Sequence, residues 1–229
     1  MTIDQNLLDE LATMDTPTVC NALELIIPER RGSGYTVKPL VCARPELKPI
    51  VGFARTAVIR AKDPQVRQPN QKSVDGYYEY IAEGGPCPSI VVIQDLDEAY
   101  GSWWGEVNSN VHKGLGCLGG ITDGSIRDLP DLAEGFQLLA GAVGPSHAHV
   151  HVVDYGLSVT VAGMAVNHGE LIHADQHGAV VIPLDVASQV RAAADKVAAR
   201  EAVVIKASQQ PGFNMEKLRK AWKGMSEIH

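Results

Sequence analysis

Three short apolar runs near the C-terminal third limit the chain more than anything else in it. Residues 157–166, 170–174 and 179–183 read as strands joined by the turns Asn167-His168-Gly169 and Asp175-Gln176-His177-Gly178. Turns this short leave no room for a crossover helix, so the runs pair as an antiparallel meander. A doubly wound sheet, with strand and helix alternating throughout, is therefore excluded. After the meander, Asp185 is placed to cap a long helix reaching about residue 206, with Val186, Val190, Ala193, Ala194, Val197 and Ala198 on one face. A last amphipathic segment, residues 214–225, carries Leu218, Ala221 and Trp222.

Upstream, Thr2 or Asp4 can cap a helix over residues 5–14, and Asp15-Thr16-Pro17 marks a second helix start, with Val19, Leu23 and Ile26 on one side. Residues 52–60 form the clearest early strand, and residues 89–94 read as a buried one from the run Ile90-Val91-Val92-Ile93. Between them lie a polar, Pro-interrupted loop at 62–75, over a site or an interface, and a short helix at 76–82. Asp95, Asp97 and Glu98 follow the second strand; they are either a solvated loop or carboxylates at a strand's catalytic end.

The chemically suggestive stretch runs from residue 105 to residue 128. Residues 106–113 read as a helix start, 118–122 as a short strand and Asp123-Gly124 as a tight turn leading to Arg127 and Asp128. A helix N-terminus offers free N–H groups to an anion, and a strand end presenting arginine and carboxylate to the same crevice suits a metal and an anionic substrate together. Two other patterns are weaker. Gly114-Leu-Gly116-Cys-Leu-Gly119 satisfies G-x-G-x-x-G, but a helix precedes it and a strand follows, the reverse of a dinucleotide site. These glycines are expected to end the helix and let it pack close to the sheet. His147, His149 and His151 alternate, which on a strand puts three imidazoles on one face, but same-face neighbours about 7 Å apart cannot all close on one ion.

A net charge of −7 with no basic stripe argues against a nucleic-acid groove. The four cysteines form no CxxC pair, no apolar run is long enough to span a bilayer, and no signal-like leader opens the chain. The expectation is a reduced, cytoplasmic protein with no membrane and no nucleic-acid partner. With 229 residues and ordinary hydrophobic content, a single domain spanning 1–229 is expected, with N-terminal helices and a C-terminal helical extension.

Gly105-Glu106, twenty intervening residues, Arg127-Asp128, the Asp123-Gly124 turn and the run from Gly169 to Pro183 together resemble the RraA-like family. That family contains class II 4-hydroxy-4-methyl-2-oxoglutarate / 4-carboxy-4-hydroxy-2-oxoadipate aldolases, which also decarboxylate oxaloacetate, and the ribonuclease E inhibitor. The resemblance implies an α/β fold, an α/β/β/α layered sandwich of the swivelling-domain type, assembled as a homotrimer or homohexamer with sites between subunits. It implies a lyase that cleaves a small anionic 2-oxo acid to pyruvate with Mg²⁺ or Mn²⁺. A non-catalytic ribonuclease-binding regulator, or a lyase for another 2-oxo or sugar acid, are the alternatives. In the aldolases the first acid is aspartate; here it is Glu106, one methylene longer.

Carried over, Asp128 is the direct metal ligand, Glu106 holds a metal-bound or nearby water, and Arg127 binds the substrate's keto oxygen or carboxylate. The amides after Gly105, those of Glu106, Val107 and Asn108, help hold a carboxylate. Glu201, near the end of the long helix, is expected to reach a neighbouring subunit's metal site. Trp103 and Trp104 match nothing in the aldolase pattern and are either pocket lining or packing.

Overall fold

The computed structural model describes residues 3–66 and 72–227. Two helices come first, α1 (Gln5–Leu11) and α2 (Thr16–Ile26). Asp4 and Asp15 cap them, accepting the N–H groups of Leu7 and Thr18; Thr2, the other candidate cap, lies outside the described residues. α1 stops short of residue 14. The Thr13 hydroxyl donates to the Glu10 carbonyl, and the carbonyls of Leu11 and Met14 turn to the buried His173 Nε2, at 3.3 and 3.0 Å.

Next come β1 (Val41–Cys42), β2 (Ile50–Arg60), α3 (Val74–Glu83), β3 (Ser89–Asp95), β4 (Ser102–Trp104), α4 (Glu106–Gly114), β5 (Cys117–Thr122) and β6 (Ser125–Ile126). They are followed by β7 (Gln137–Ala140), β8 (Ala142–Val143), β9 (His151–Tyr155), β10 (Val159–Val161), β11 (Met164–Val166), β12 (Leu171–Asp175) and β13 (Gly178–Ile182). The helices α5 (Val190–Ser208) and α6 (Met215–Ser226) come last. Of the expected 62–75 loop, residues 67–71 lie outside the described residues, and α3 already begins at Val74 behind a Ser73 cap.

The main sheet is mixed, in the order β1-β7-β5-β3-β2-β12-β13. Its centre, β7 to β2, is parallel; β12, β13 and β1 are antiparallel, and β9 pairs with the far half of β2. Side-chain alternation along β2 produces the layers. Val51 and Phe53 pack under α1, α2 and α5, and Ala57 and Ile59 pack under α3. Ala54 and Val58 point the other way, into an all-strand interior shared with β10 and β11. Helices thus cover the outer faces and strand packs on strand within, the α/β/β/α layering expected.

Only the second half of the expected meander forms: β12 pairs antiparallel with β13, but β2 takes the other edge of β12, so residues 157–166 do not join it and lie in a separate two-stranded sheet. Residues 157–166 do not make one strand; Ala162 and Gly163, both at positive φ, fold them into the two-residue hairpin β10–β11. Asp185 does not cap the long helix either. A turn held by Val186 N–H to Pro183 O and Gln189 N–H to Val186 O buries Val186 and Ala187 first, so α5 starts only at Val190 and has no side-chain cap.

Two glycines of the false dinucleotide pattern have local explanations, one in backbone conformation and one in packing. Gly116 ends α4 at φ +90°, and a Cβ on Gly119 would sit 2.3 Å from the Gln137 carbonyl oxygen of the paired strand β7. Gly119→Ala is expected to cost about 3 kcal/mol, a fall of roughly 6–12 °C in the unfolding midpoint, measured by thermal denaturation.

Candidate functional site

A second, small parallel sheet assembles the site. β4, β6 and β8 pair in that order, through Ser102↔Ser125, Trp104↔Ile126 and Ser125↔Ala142. Gly105 leaves the C-terminal end of β4 and Arg127 the C-terminal end of β6, so the two emerge side by side. The Arg127 N–H donates to the Trp104 carbonyl at 2.9 Å. The carboxyl ends of adjacent parallel strands are where α/β proteins place ligands.

Asp128 then takes a left-handed conformation, φ +53° and ψ +41°, uncommon for a residue other than glycine though tolerated by aspartate. This aims its carboxylate back at α4. Asp128 Oδ2 accepts the Glu106 N–H at 3.2 Å and lies 3.5 Å from Arg127 Nε. The carboxylate therefore rests on the N-terminus of α4, the position at which a bound anion would be held. Gly105 makes this approach possible, because a Cβ there would lie 2.6 Å from Asp128 Oδ2. The first-turn N–H groups of Val107 and Asn108 have no acceptor within the helix. Both Arg127 and Asp128 are about one-third exposed, at 34% and 35%, so the pair opens to solvent while its backbone is anchored.

α4 itself is firmly pinned. Asn108 Nδ2 donates to the Trp103 carbonyl at 2.6 Å, and its Oδ1 accepts from the Tyr78 hydroxyl at 3.0 Å. Ser109 Oγ donates to the Glu106 carbonyl and accepts the Ala133 N–H. His112 is buried: its Nδ1 donates to the Asn108 carbonyl, so its Nε2 accepts from the Tyr77 hydroxyl at 2.8 Å. Burial lowers the His112 pKa to about 4.

An imidazole held neutral in the folded state but protonated near pH 6.5 when unfolded makes stability fall with acid. The contribution is complete above about pH 6.5 and lost as pH falls through about 4, to a limit of about 3 kcal/mol. Denaturant melts between pH 7 and 4 should show this slope, and His112→Gln should flatten it.

Trp103 and Trp104 are core residues, 8% and 0% exposed, packed with Tyr77, His112 and Phe136; they position the site and do not line it. The three-histidine face does not form. Only His151 belongs to a strand, while His147 and His149 flank Ala148 in a turn at φ +46°. Asp95 and Asp97 are not a solvated loop. Asp97 accepts the N–H groups of Ala61 and Lys62 and pairs with Arg60, and Asp95 accepts those of Asp97 and Ala99, so both are turn-formers, Asp95 buried and Asp97 half-buried. Glu201 lies on α5 and lines a groove with Glu24, Arg31 and Arg200, apart from Gly105, Glu106, Arg127 and Asp128.

Among the described residues no three His, Cys, Asp or Glu side chains cluster as a ready metal cage. The Asp128 carboxylate beside an arginine and a helix N-terminus instead suits a hard cation that keeps waters and takes its remaining ligands from substrate. No described helix is long and apolar enough to cross a membrane.

A mixed, nearly closed sheet with helical covers, and an acid and an arginine meeting a helix N-terminus at adjacent strand ends, defines the class. The RraA-like family pattern, Aldolase/RraA, matches residues 9–181, and the chain belongs to that family, which includes both lyases and ribonuclease E inhibitors. Solved structures share the fold. One is an uncharacterised protein from Pseudomonas syringae pv. tomato, 23% identical over 96% of this chain and 95% of that one, with a TM-score of 0.71. Another is Streptomyces coelicolor RraAS2, described as an unusual member of the RNase ES inhibitor RraA family, 24% identical over 92% and 99%, TM-score 0.66. A third is the RNA-processing inhibitor RraA from Thermus thermophilis, 19% identical over 70% and 90%, TM-score 0.50. No curated protein matches.

Proposed function

We propose that the chain is a divalent-metal-dependent carbon–carbon lyase that cleaves a 2-oxo acid to pyruvate, by retro-aldol cleavage of a 4-hydroxy-4-methyl-2-oxoglutarate type substrate, by decarboxylation of oxaloacetate, or both. The observation that carries this reading is the meeting of Asp128, Arg127 and the free N-terminus of α4 at the ends of two adjacent parallel strands. Asp128 and Glu106 would hold Mg²⁺ or Mn²⁺, directly or through water, and such a cation would supply fixed positive charge to offset the negative charge that carbon–carbon cleavage develops on the substrate.

The chain's own groups do the rest. The N–H groups of Glu106, Val107 and Asn108 hold a substrate carboxylate. Arg127 lies against the keto oxygen or the carboxylate and orients it. A substrate carboxylate arriving at α4 competes with Asp128 for the Glu106 N–H and so turns Asp128 outward. Glu106, exposed at the helix start, takes the hydroxyl proton in the aldol route through a held water; decarboxylation needs no such base. Glu201 lines a groove that includes none of Gly105, Glu106, Arg127 and Asp128, so its part in the reaction is assigned to the site of a second copy in a homotrimer or homohexamer.

A coupled pyruvate-release assay with oxaloacetate and 4-hydroxy-4-methyl-2-oxoglutarate tests the reading. Turnover with Mg²⁺ that a chelator removes, and that Arg127→Ala lowers about 100-fold or more, is expected. No turnover on any 2-oxo acid, with tight binding to a ribonuclease, contradicts it.

A further inference from the structure

Arg55 sits midway along β2, between Phe53 in one helix-covered core and Ala57 in the other, at the seam of the two. It is fully buried. Nη2 donates to the Pro86 carbonyl at 2.8 Å, whereas Nε and Nη1 have no acceptor among the described residues. None of the ion pairs among those residues includes it.

Among the described residues no carboxylate lies within 4 Å of the Arg55 nitrogens. Gly85, at φ +147°, presents bare backbone: a Cβ there would lie 3.3 Å from Arg55 Nη1 and 3.4 Å from His168 Nε2, so both groups approach one side-chain-free spot. The Thr56 N–H donates to Tyr80 Oη at 3.0 Å, which leaves the phenolic proton for His168 Nδ1 at 2.8 Å and puts the ring proton on Nε2. Burial and the Arg55 charge both lower the His168 pKa, while the carbonyls of Gly84 and Ala54 act against them. Backbone carbonyls thus draw on the imidazole, whereas two of the three guanidinium nitrogens lack an acceptor and, among the described residues, no ion pair compensates the charge. A buried water accepts hydrogen bonds but leaves the charge uncompensated, and an unpaired buried ion is strongly unfavourable.

We infer that Arg55, roofed by residues 84–86 and flanked by His168, is the centre of a small-anion site that takes a monovalent ion of chloride or formate size. The site lies before the N-terminal end of β3, whereas Gly105 and Arg127 follow the C-terminal ends of β4 and β6, so it does not depend on the lyase reading. Its occupant is structural: it neutralises the seam between the two helical covers.

Wild-type crystals grown with bromide should show an anomalous peak within roughly 3.5 Å of Arg55 Nε or Nη1. In solution at constant ionic strength, exchanging gluconate for chloride should raise the unfolding midpoint by roughly 5 °C or more at about 100 times the dissociation constant. Arg55→Met should lose that dependence, and the bromide experiment stands if the variant does not fold. A water at Nη1 with no bromide peak, a carboxylate from a neighbouring copy in that place, or a midpoint indifferent to halide overturns the assignment.

Discussion

Asp128→Asn is expected to lower pyruvate release by about 10²–10³-fold while moving the unfolding midpoint by no more than about 2 °C. Asparagine accepts the left-handed conformation that residue 128 adopts, and its amide oxygen can still take the Glu106 N–H. What it lacks is the charge needed to hold a divalent cation. The variant therefore separates the carboxylate's role as a ligand from its role as a helix cap. A matching loss of stability would mean that Asp128 serves chiefly as the cap.

Gly105→Ala has the next largest expected effect, a loss of about 100-fold in kcat/KM with the fold intact. Gly105 has extended backbone, φ −166°, so alanine brings no backbone strain. The added Cβ would lie 2.6 Å from Asp128 Oδ2 and 3.2 Å from Arg127 Cγ, so both side chains must move. Displacements near 1 Å at a reacting centre cost about that factor. Steady-state kinetics beside a thermal melt checks it: unchanged kinetics would mean that Asp128 works from another position.

Much of this arrangement was legible in the sequence because its signals are local. The α4 start at Glu106, the β5 run and the Asp4 and Asp15 caps each depend on residues within one turn or strand. The twenty-residue interval from Glu106 to Arg127 was visible, but its cause was not. β4, β6 and β8 have only two or three residues each, too few to show a period of two, and pairing β4 with β6 is a long-range event. The turn at Ala148 that separates the three histidines is set by tertiary contacts, including the His149 N–H to the Ala61 carbonyl, which alternation in sequence cannot reveal. Asp95 and Asp97 look like surface charges until their partners, backbone amides more than thirty residues away for Asp97, are brought to them. Arg55 gives no signal at all within a strand whose other members, up to the terminal Arg60, are apolar or small.

The most direct test is a crystal soaked with Mn²⁺ and oxalate, a planar dianion shaped like pyruvate enolate. An anomalous manganese peak at roughly 2.2 Å from an Asp128 carboxylate oxygen, with oxalate between it, Arg127 and the α4 N-terminus, is the predicted result. Manganese bound elsewhere, or oxalate absent from that crevice in a protein that still releases pyruvate, would contradict it.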